Sequence, residues 1–324
     1  MTEIVAVDIG GTHARFAIAQ IADDRVVSLG EAVTLRAADH ASFETAWSAF
    51  VARMGGTIPS AAGIAYAGPI AAATLRLTNS PWTIRPQALG ALGVERFTLV
   101  NDFAAVAHAV AQLGDAHFRH LCGPDLPLPR AGVVSIVGPG TGLGVAQLIR
   151  EAGHVHAIAT EGGHIDFAPL DSIEDRILAF LRERHRRVSV ERIASGTGLA
   201  NIYQALAAIE GQPVQQRDDA ALWAAAMTGE DSLAAAALDR FCLSLGAIAG
   251  DIALAQGASG VAIAGGVGLR LADHLPRSGF RNRFITKGRF ERRMDEMPVR
   301  IVTYPEPGLF GAAAAFAAEH LASA

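Results

Sequence analysis

An aspartate placed where a buried strand gives way to a helix has the position and the functional group to do chemistry, and this chain has one at residue 102. Thr98, Leu99 and Val100 read as a short buried strand, and Phe103, Val106, Val110 and Leu113 recur at helical spacing directly afterwards. Asn101 and Asp102 occupy the junction. Ligands of open α/β sheets bind beyond the carboxyl ends of the strands, and a carboxylate held there can take a proton from a substrate hydroxyl. Both residue types also cap helix starts, where the positive end of the helix dipole favours a carboxylate, so a structural cap is the competing reading.

A second candidate is Asp8-Ile9-Gly10-Gly11-Thr12, set between the apolar run Ile4–Val7 and a strand-like run from Ala14 to Ala19. The pattern predicts a tight hairpin. Paired glycines let backbone N–H groups approach a ligand and Thr12 adds a hydroxyl, a combination suited to phosphate oxygens, although an ordinary glycine turn has the same composition. Asp8 ends a buried strand and must be solvated or paired; a hydrated Mg²⁺ carried by a nucleotide is a natural partner, reached through water. The device recurs downstream: Val133–Val137, the turn Gly138-Pro139-Gly140-Thr141-Gly142-Leu143-Gly144, then Val145-Ala146. Aligning Gly11-Thr12 with Gly140-Thr141 suggests duplicated halves whose turns could grip one polyphosphate from both sides.

Glu161-Gly162-Gly163-His164 sets a carboxylate and an imidazole three residues apart on a compact loop, an arrangement that fits hydrogen bonds to sugar hydroxyls. The loop offers too few ligands for a metal, and His154 and His156 read as alternate polar positions of a strand. Glu191 is either a second sugar-binding carboxylate or the N-terminal charge of a helix opened by Ser189, and local rules prefer the helix. A third glycine-rich turn, Ser195-Gly196-Thr197-Gly198, precedes a helix from Leu199. Gly265-Gly266, after the strand Gly260–Ala264, would let a flat base lie against the backbone. Thr78 and Asn79 precede a proline-limited turn, where substrate contact and turn chemistry explain the residues equally well.

The elements that must hold these groups alternate between strand and helix, which points to an α/β fold. Helical spacing also marks residues 42–54, the stripe Ile173, Ile177, Phe180 and Leu181 with a solvated charged face, a long helix through Phe241, Leu245, Ile248 and Ile252, and a closing helix from Gly308 to Leu321. A length of 324 residues with 51% hydrophobic content suits two domains, since domains typically run to about 100–200 residues. The proline- and glycine-punctuated stretch Cys122–Gly132 is the expected crossing between them. A net charge of −5, from 27 basic and 32 acidic residues, offers no general attraction to nucleic acid or anionic membranes and favours a small-molecule partner. The basic residues between Arg281 and Arg293 are interrupted by Phe284, Ile285 and Glu291 and read as a surface loop. Cys122 and Cys242 lie far apart without metal-ligand spacing, which fits a reducing cytoplasm. No basic leader precedes the first strand, and no stretch supplies about 20 uninterrupted apolar residues, so no membrane association is expected.

Four motifs stand in order: DIGGT at Asp8, LVNDF at Leu99, GPGTGLG at Gly138 and IAGG at Ile263. Together they resemble the sugar-kinase branch of the actin-like ATPases, a two-domain α/β, ribonuclease H-like duplicated fold with an inter-domain cleft. With EGGHIDFAP, ERIASGTGL and SGFRNRF the similarity spans nearly the whole chain and is that of the bacterial glucokinase family. The resemblance implies a small domain of residues 1–122 plus 304–324 and a large domain of 123–303, with a return near Pro305–Gly308. It implies that Asp8, Gly10, Gly11 and Thr12 form a first phosphate loop for ATP and Mg²⁺, that Gly140, Thr141 and Gly142 form a second, and that Gly265 and Gly266 lie near adenosine. Asn101, Asp102, Glu161, His164 and Glu191 fall on the family's glucose-binding positions, with Asp102 at that of the catalytic base. The implied reaction turns ATP and D-glucose into ADP and glucose 6-phosphate, with closure of the cleft on the sugar and a homodimeric, cytoplasmic enzyme. Two departures stand out: His13 follows GGT where the family has asparagine, and the cysteine-rich zinc motif of the ROK sugar kinases is missing. A kinase for mannose or an N-acetylhexosamine would use the same parts. A non-catalytic sugar sensor would carry a DNA-binding helix-turn-helix before the first phosphate loop, where seven residues stand here.

Overall fold

The computed structural model describes residues 1–68, 75–76 and 82–321, so Thr78 and Asn79 lie outside the described residues. The strands are β1 (Thr2–Ile9), β2 (His13–Ala22), β3 (Arg25–Leu29), β4 (Val33–Arg36), β5 (Ala61–Tyr66), β6 (Leu75–Arg76), β7 (Thr83–Ile84), β8 (Arg96–Asn101), β9 (Phe118–Cys122), β10 (Gly132–Pro139), β11 (Leu143–Glu151), β12 (His154–Thr160), β13 (Gly260–Ile263) and β14 (Val299–Val302). The α-helices are α1 (Phe43–Arg53), α2 (Asp102–Gln112), α3 (Ser172–Arg182), α4 (Gly198–Glu210), α5 (Asp219–Thr228), α6 (Ser232–Ala255), α7 (Gly265–Arg270), α8 (Phe280–Ile285), α9 (Glu291–Asp295) and α10 (Pro307–His320).

The chain divides into two compact units, one of residues 1–114, 155–159 and 304–324, the other of 115–154 and 160–303. The division falls at Gly114/Asp115, ahead of the punctuated stretch that begins at Cys122, because β9 pairs antiparallel with β14. In the first unit the strand order is β3-β2-β1-β5-β8, with β4 also on β2. The β1–β2 pair is an antiparallel hairpin, and β1, β5 and β8 run parallel. Strand periodicity sorts β1 between two layers: Val5, Val7 and Ile9 join Phe16, Phe43, Trp47 and Phe50 under α1, while Ile4 and Ala6 face Leu309, Ala313 and Phe316 of α10. Helix α10 lies so close to its neighbours that two glycines are required. A Cβ on Gly63 of β5 would enter the Ala312 backbone, and one on Gly311 would enter the Ala105 backbone of α2.

The sheet containing β10 has the order β12-β11-β10-β13-β14-β9 and repeats the logic of the first, an antiparallel hairpin (β10–β11) followed by parallel strands (β10, β13, β14). The duplication suggested by the two glycine-threonine turns is therefore a duplication of topology. Helix α6 fills the second core with Phe241, Leu245, Ile248 and Ile252. It is long and apolar enough by length and composition to cross a membrane, yet 72% of that stretch is buried within the protein. The segment expected to be a surface loop, Arg281–Arg293, instead carries α8 and α9. Phe280 and Phe284 are one helical turn apart, both fully buried and stacked at 6.0 Å between ring centroids, so apolar burial overrides the charge pattern.

Two stability measurements test this packing. Gly311→Ala should lose about 1–3 kcal/mol in urea unfolding, the usual range for overpacking a tight contact. His108 on α2 is pulled by burial from an ordinary 6.5 to about 4, so the folded state resists a proton that the unfolded chain accepts. Its contribution is intact above pH 6.5 and should fade as pH falls from 6.5 toward 4; urea titrations across that window should show a shallower decline for His108→Gln.

Candidate functional site

In the first unit the β1–β2 turn closes with the Gly10 N–H donating to the His13 carbonyl at 2.9 Å, which leaves Thr12 exposed at the tip. The hairpin register sets Asp8 opposite Arg15. Arg15 Nη1 lies 3.5 Å from Asp8 Oδ2, and its Nε lies 3.3 Å from Glu306 Oε2. The Asp8 carboxylate also rests on the first turn of α10, since a Cβ on Gly308 would come within 2.7 Å of Oδ2. Burial raises the Asp8 pKa, Arg15 opposes that shift and Glu306 adds to it. A positive helix end and a guanidinium thus hold a mostly buried carboxylate beside a glycine turn.

Where β8 meets α2, the structure separates the two roles that sequence left joined. Asn101 is the N-cap: its Oδ1 accepts the N–H groups of Phe103 (2.8 Å) and Ala104 (3.2 Å), and its Nδ2 donates to the Gly68 carbonyl at 3.5 Å. Asp102 is already the first helical residue, with Oδ1 accepting the Phe103 N–H at 2.9 Å. The cap reading therefore belongs to Asn101.

The second unit builds its half around the β10–β11 turn. The Gly140 N–H donates to the Gly142 carbonyl at 2.8 Å, and the Leu143 N–H donates to Glu191 Oε2 at 2.9 Å. Gly142 leaves room for that carboxylate, which a Cβ there would strike. Local rules place Glu191 at a helix start opened by Ser189. Ser189 is indeed the N-cap residue, but of a single 3₁₀ turn, Val190–Arg192, and without a side-chain cap bond, while the Glu191 carboxylate goes to Leu143. The Glu161–His164 loop docks on the same turn, Gly163 lying against the Leu143 carbonyl and Gly162 against Val145. Beyond it the chain zips onto residues 188–190 through Phe167 N–H to the Val188 carbonyl and Val190 N–H to the Ile165 carbonyl. Glu161 Oε2 and His164 Nε2 are 3.8 Å apart and exposed. Gly265, at φ +78°, lies against the Pro139 carbonyl, and Gly266 beside it is exposed with open space above.

Glu161, His164, Glu191, Gly140–Gly142 and Gly265–Gly266 thus gather in one unit, and Asp8–Thr12, Asn101 and Asp102 belong to the other. Sequence reading does not single out Arg15 or Glu306. The signal for Arg15 is the hairpin itself, since a turn centred on Gly11-Thr12 pairs residues 8 and 15; Glu306 has no local signal.

A family model described as Glucokinase matches residues 5–319. The chain is 62% identical over 316 residues to a glucokinase of Zymomonas mobilis subsp. mobilis, covering 97% of this chain and 98% of that one. It is 41% identical over 317 residues to a glucokinase of Caulobacter vibrioides, covering 96% and 94%. The crystal structure of a glucokinase from an Antarctic psychrotroph superposes with a TM-score of 0.84 at 35% identity, covering 97% of this chain and 98% of that one. The duplicated α/β architecture is the actin-like sugar-kinase fold. With the family model spanning nearly the whole sequence and close identity end to end, the chain belongs to the bacterial glucokinase family.

Proposed function

We propose that the protein transfers the γ-phosphoryl group of ATP to the 6-hydroxyl of D-glucose, giving ADP and glucose 6-phosphate. The observation that carries this reading is the junction in the second unit, where one amide, Leu143 N–H, ties the Glu191 carboxylate to the Gly140–Gly142 turn at 2.9 Å. Groups suited to sugar hydroxyls and a turn suited to phosphate oxygens are contiguous there. Glu191, Glu161 and His164 bind and orient the sugar; Gly140, Thr141 and Gly142 take phosphate oxygens; the open backbone at Gly265 and Gly266 takes the adenosine.

The first unit contributes the base and a further phosphate turn. Asp102 takes the proton of the 6-hydroxyl as its oxygen attacks the γ-phosphorus, and Asn101 contributes to sugar binding while holding the helix start. Gly10, Gly11 and Thr12 provide donors to the polyphosphate. Asp8, held ionisable by Arg15 and 19% exposed, fits a hydrated Mg²⁺ delivered with ATP, contacted through water. Held there with ATP, the metal would neutralise phosphate charge, while positioning and electrostatics carry most of the rate gain. The two thiols, Cys122 and Cys242, are both free and buried, in keeping with work in the reducing cytoplasm.

A coupled ADP-release assay with Mg²⁺, run against glucose, mannose, N-acetylglucosamine and no sugar, tests the reading: glucose should give the highest turnover, and glucose turnover no greater than the sugar-free background would sink it. Chelating Mg²⁺ should abolish activity. Asp102→Asn should keep its helix, whose cap is Asn101, and lose activity by at least about 10²-fold, the low end for a general base. Full turnover in a variant with unchanged circular dichroism would return Asp102 to a structural role.

A further inference from the structure

The turn Ser195-Gly196-Thr197-Gly198 takes no part in the reaction above, yet it is bonded to a loop that does. The Gly196 N–H donates to the Gly140 carbonyl at 2.6 Å, and the Gly196 carbonyl accepts the indole N–H of Trp223 at 3.1 Å. Trp223 is 3% exposed on α5. Its ring packs edge-on against Phe241 of α6, with centroids 5.3 Å apart and planes at 83°, and the Arg270 guanidinium of α7 lies 5.5 Å from the ring centroid. An aromatic anchor fixed by three helices therefore stands two hydrogen bonds away from Gly140.

The consequence follows from peptide geometry. A trans peptide is planar, so the carbonyl of residue 140 and the N–H of residue 141 point in opposite directions from one rigid unit. Tying the Gly140 carbonyl to Gly196 turns the Thr141 N–H the other way, and no acceptor among the described residues takes that N–H. Without the tie, this peptide would be braced by the Gly140 N–H to Gly142 carbonyl bond alone, and Gly140 beside it is the residue type with the largest backbone freedom to lose. We infer that Trp223 is a positioning residue for the nucleotide: through Gly196 it fixes the 140–141 peptide plane with the Thr141 N–H presented to a phosphate oxygen. The inference rests on the proposed reading of Gly140–Gly142 as a phosphate loop.

Trp223→Phe keeps an aromatic ring between Phe241 and Arg270 and deletes the N–H. Calorimetric titration of the purified protein with Mg-ADP should show affinity weakened about 3- to 10-fold, the net worth of one hydrogen bond, with glucose affinity unchanged. In steady-state assays the KM for ATP should rise while that for glucose stays constant. Gly196→Ala, whose new methyl would sit 3.0 Å from the Gly140 oxygen, should show the same split and carries the test should the tryptophan variant fail to fold. Thr141→Pro, which deletes that N–H, separates this inference from the reading beneath it. If Thr141→Pro weakens ADP but Trp223→Phe and Gly196→Ala do not, the positioning role is overturned and the phosphate loop stands; if all three bind ADP like wild type, both fall. Equal loss of ADP and glucose affinity in Trp223→Phe would mark a general structural role and also overturn the inference.

Discussion

The Glu191 carboxylate occupies space that a side chain at position 142 would need, and from there it accepts the Leu143 amide. Three segments far apart in sequence, residues 140–143, 161–167 and 188–196, become one body through this contact and the backbone bonds around it. A hydrogen bond to a charged acceptor contributes of order 1.5–3 kcal/mol, enough to hold a short glycine turn that has little packing of its own. The arrangement needs an absence of side chains as much as it needs Glu191. Gly142 admits the carboxylate, and Gly163 admits the Leu143 carbonyl.

Charge plays the corresponding part in the first unit. Asp8 sits largely out of water, which favours its neutral form, while Arg15 and the first turn of α10 favour the carboxylate. Glu306 shares the Arg15 guanidinium and partly offsets its effect on Asp8. The result is a single cation between two carboxylates, so the charge state of the strand end depends on a residue nearly 300 positions away in the chain.

The SGFRNRF motif shows the same physics serving stability. Arg283 and Arg240 both donate to Asp171 Oδ2, at 2.5 and 2.6 Å, while Asp171 Oδ1 caps α3. Burial pushes the Asp171 carboxyl up, but the Glu174 amide and the two arginines outweigh it and leave its pKa below the ordinary value. Glu174, 2% exposed, is raised by burial despite the Leu170 amide and Arg283. Such a network is costly to break in part, because losing Arg283 would leave the buried Glu174 carboxylate without the guanidinium 3.5 Å from it. Phe280 and Phe284, flanking Arg283, anchor the helix that delivers it.

Much of the fold was legible because its signals are local. Short apolar runs made β1 and β2 readable, helical spacing marked α1, α3 and α6, and the repeated glycine-threonine turn announced two hairpins of like topology, since each pattern depends on neighbours within a few residues. The ordered motifs also placed the chain in its family, and the family model and relatives agree. Local rules failed where a distant partner decides. Ser189 and Glu191 look like a helix start, but Leu143, 48 residues earlier, claims the carboxylate; Arg281–Arg293 looks like loop, but the core around α6 claims Phe284, with Phe280 just before the segment. Asn101 and Asp102 were equal candidates for the cap until the chain direction at Phe103 put Asn101 oxygen within reach of two amides. The sequence by itself determined the elements, the turns and the family; the tertiary structure decided which polar group each amide and guanidinium meets, because hydrogen bonds and ion pairs act over a few ångströms while the residues that make them are separated by tens to hundreds of positions.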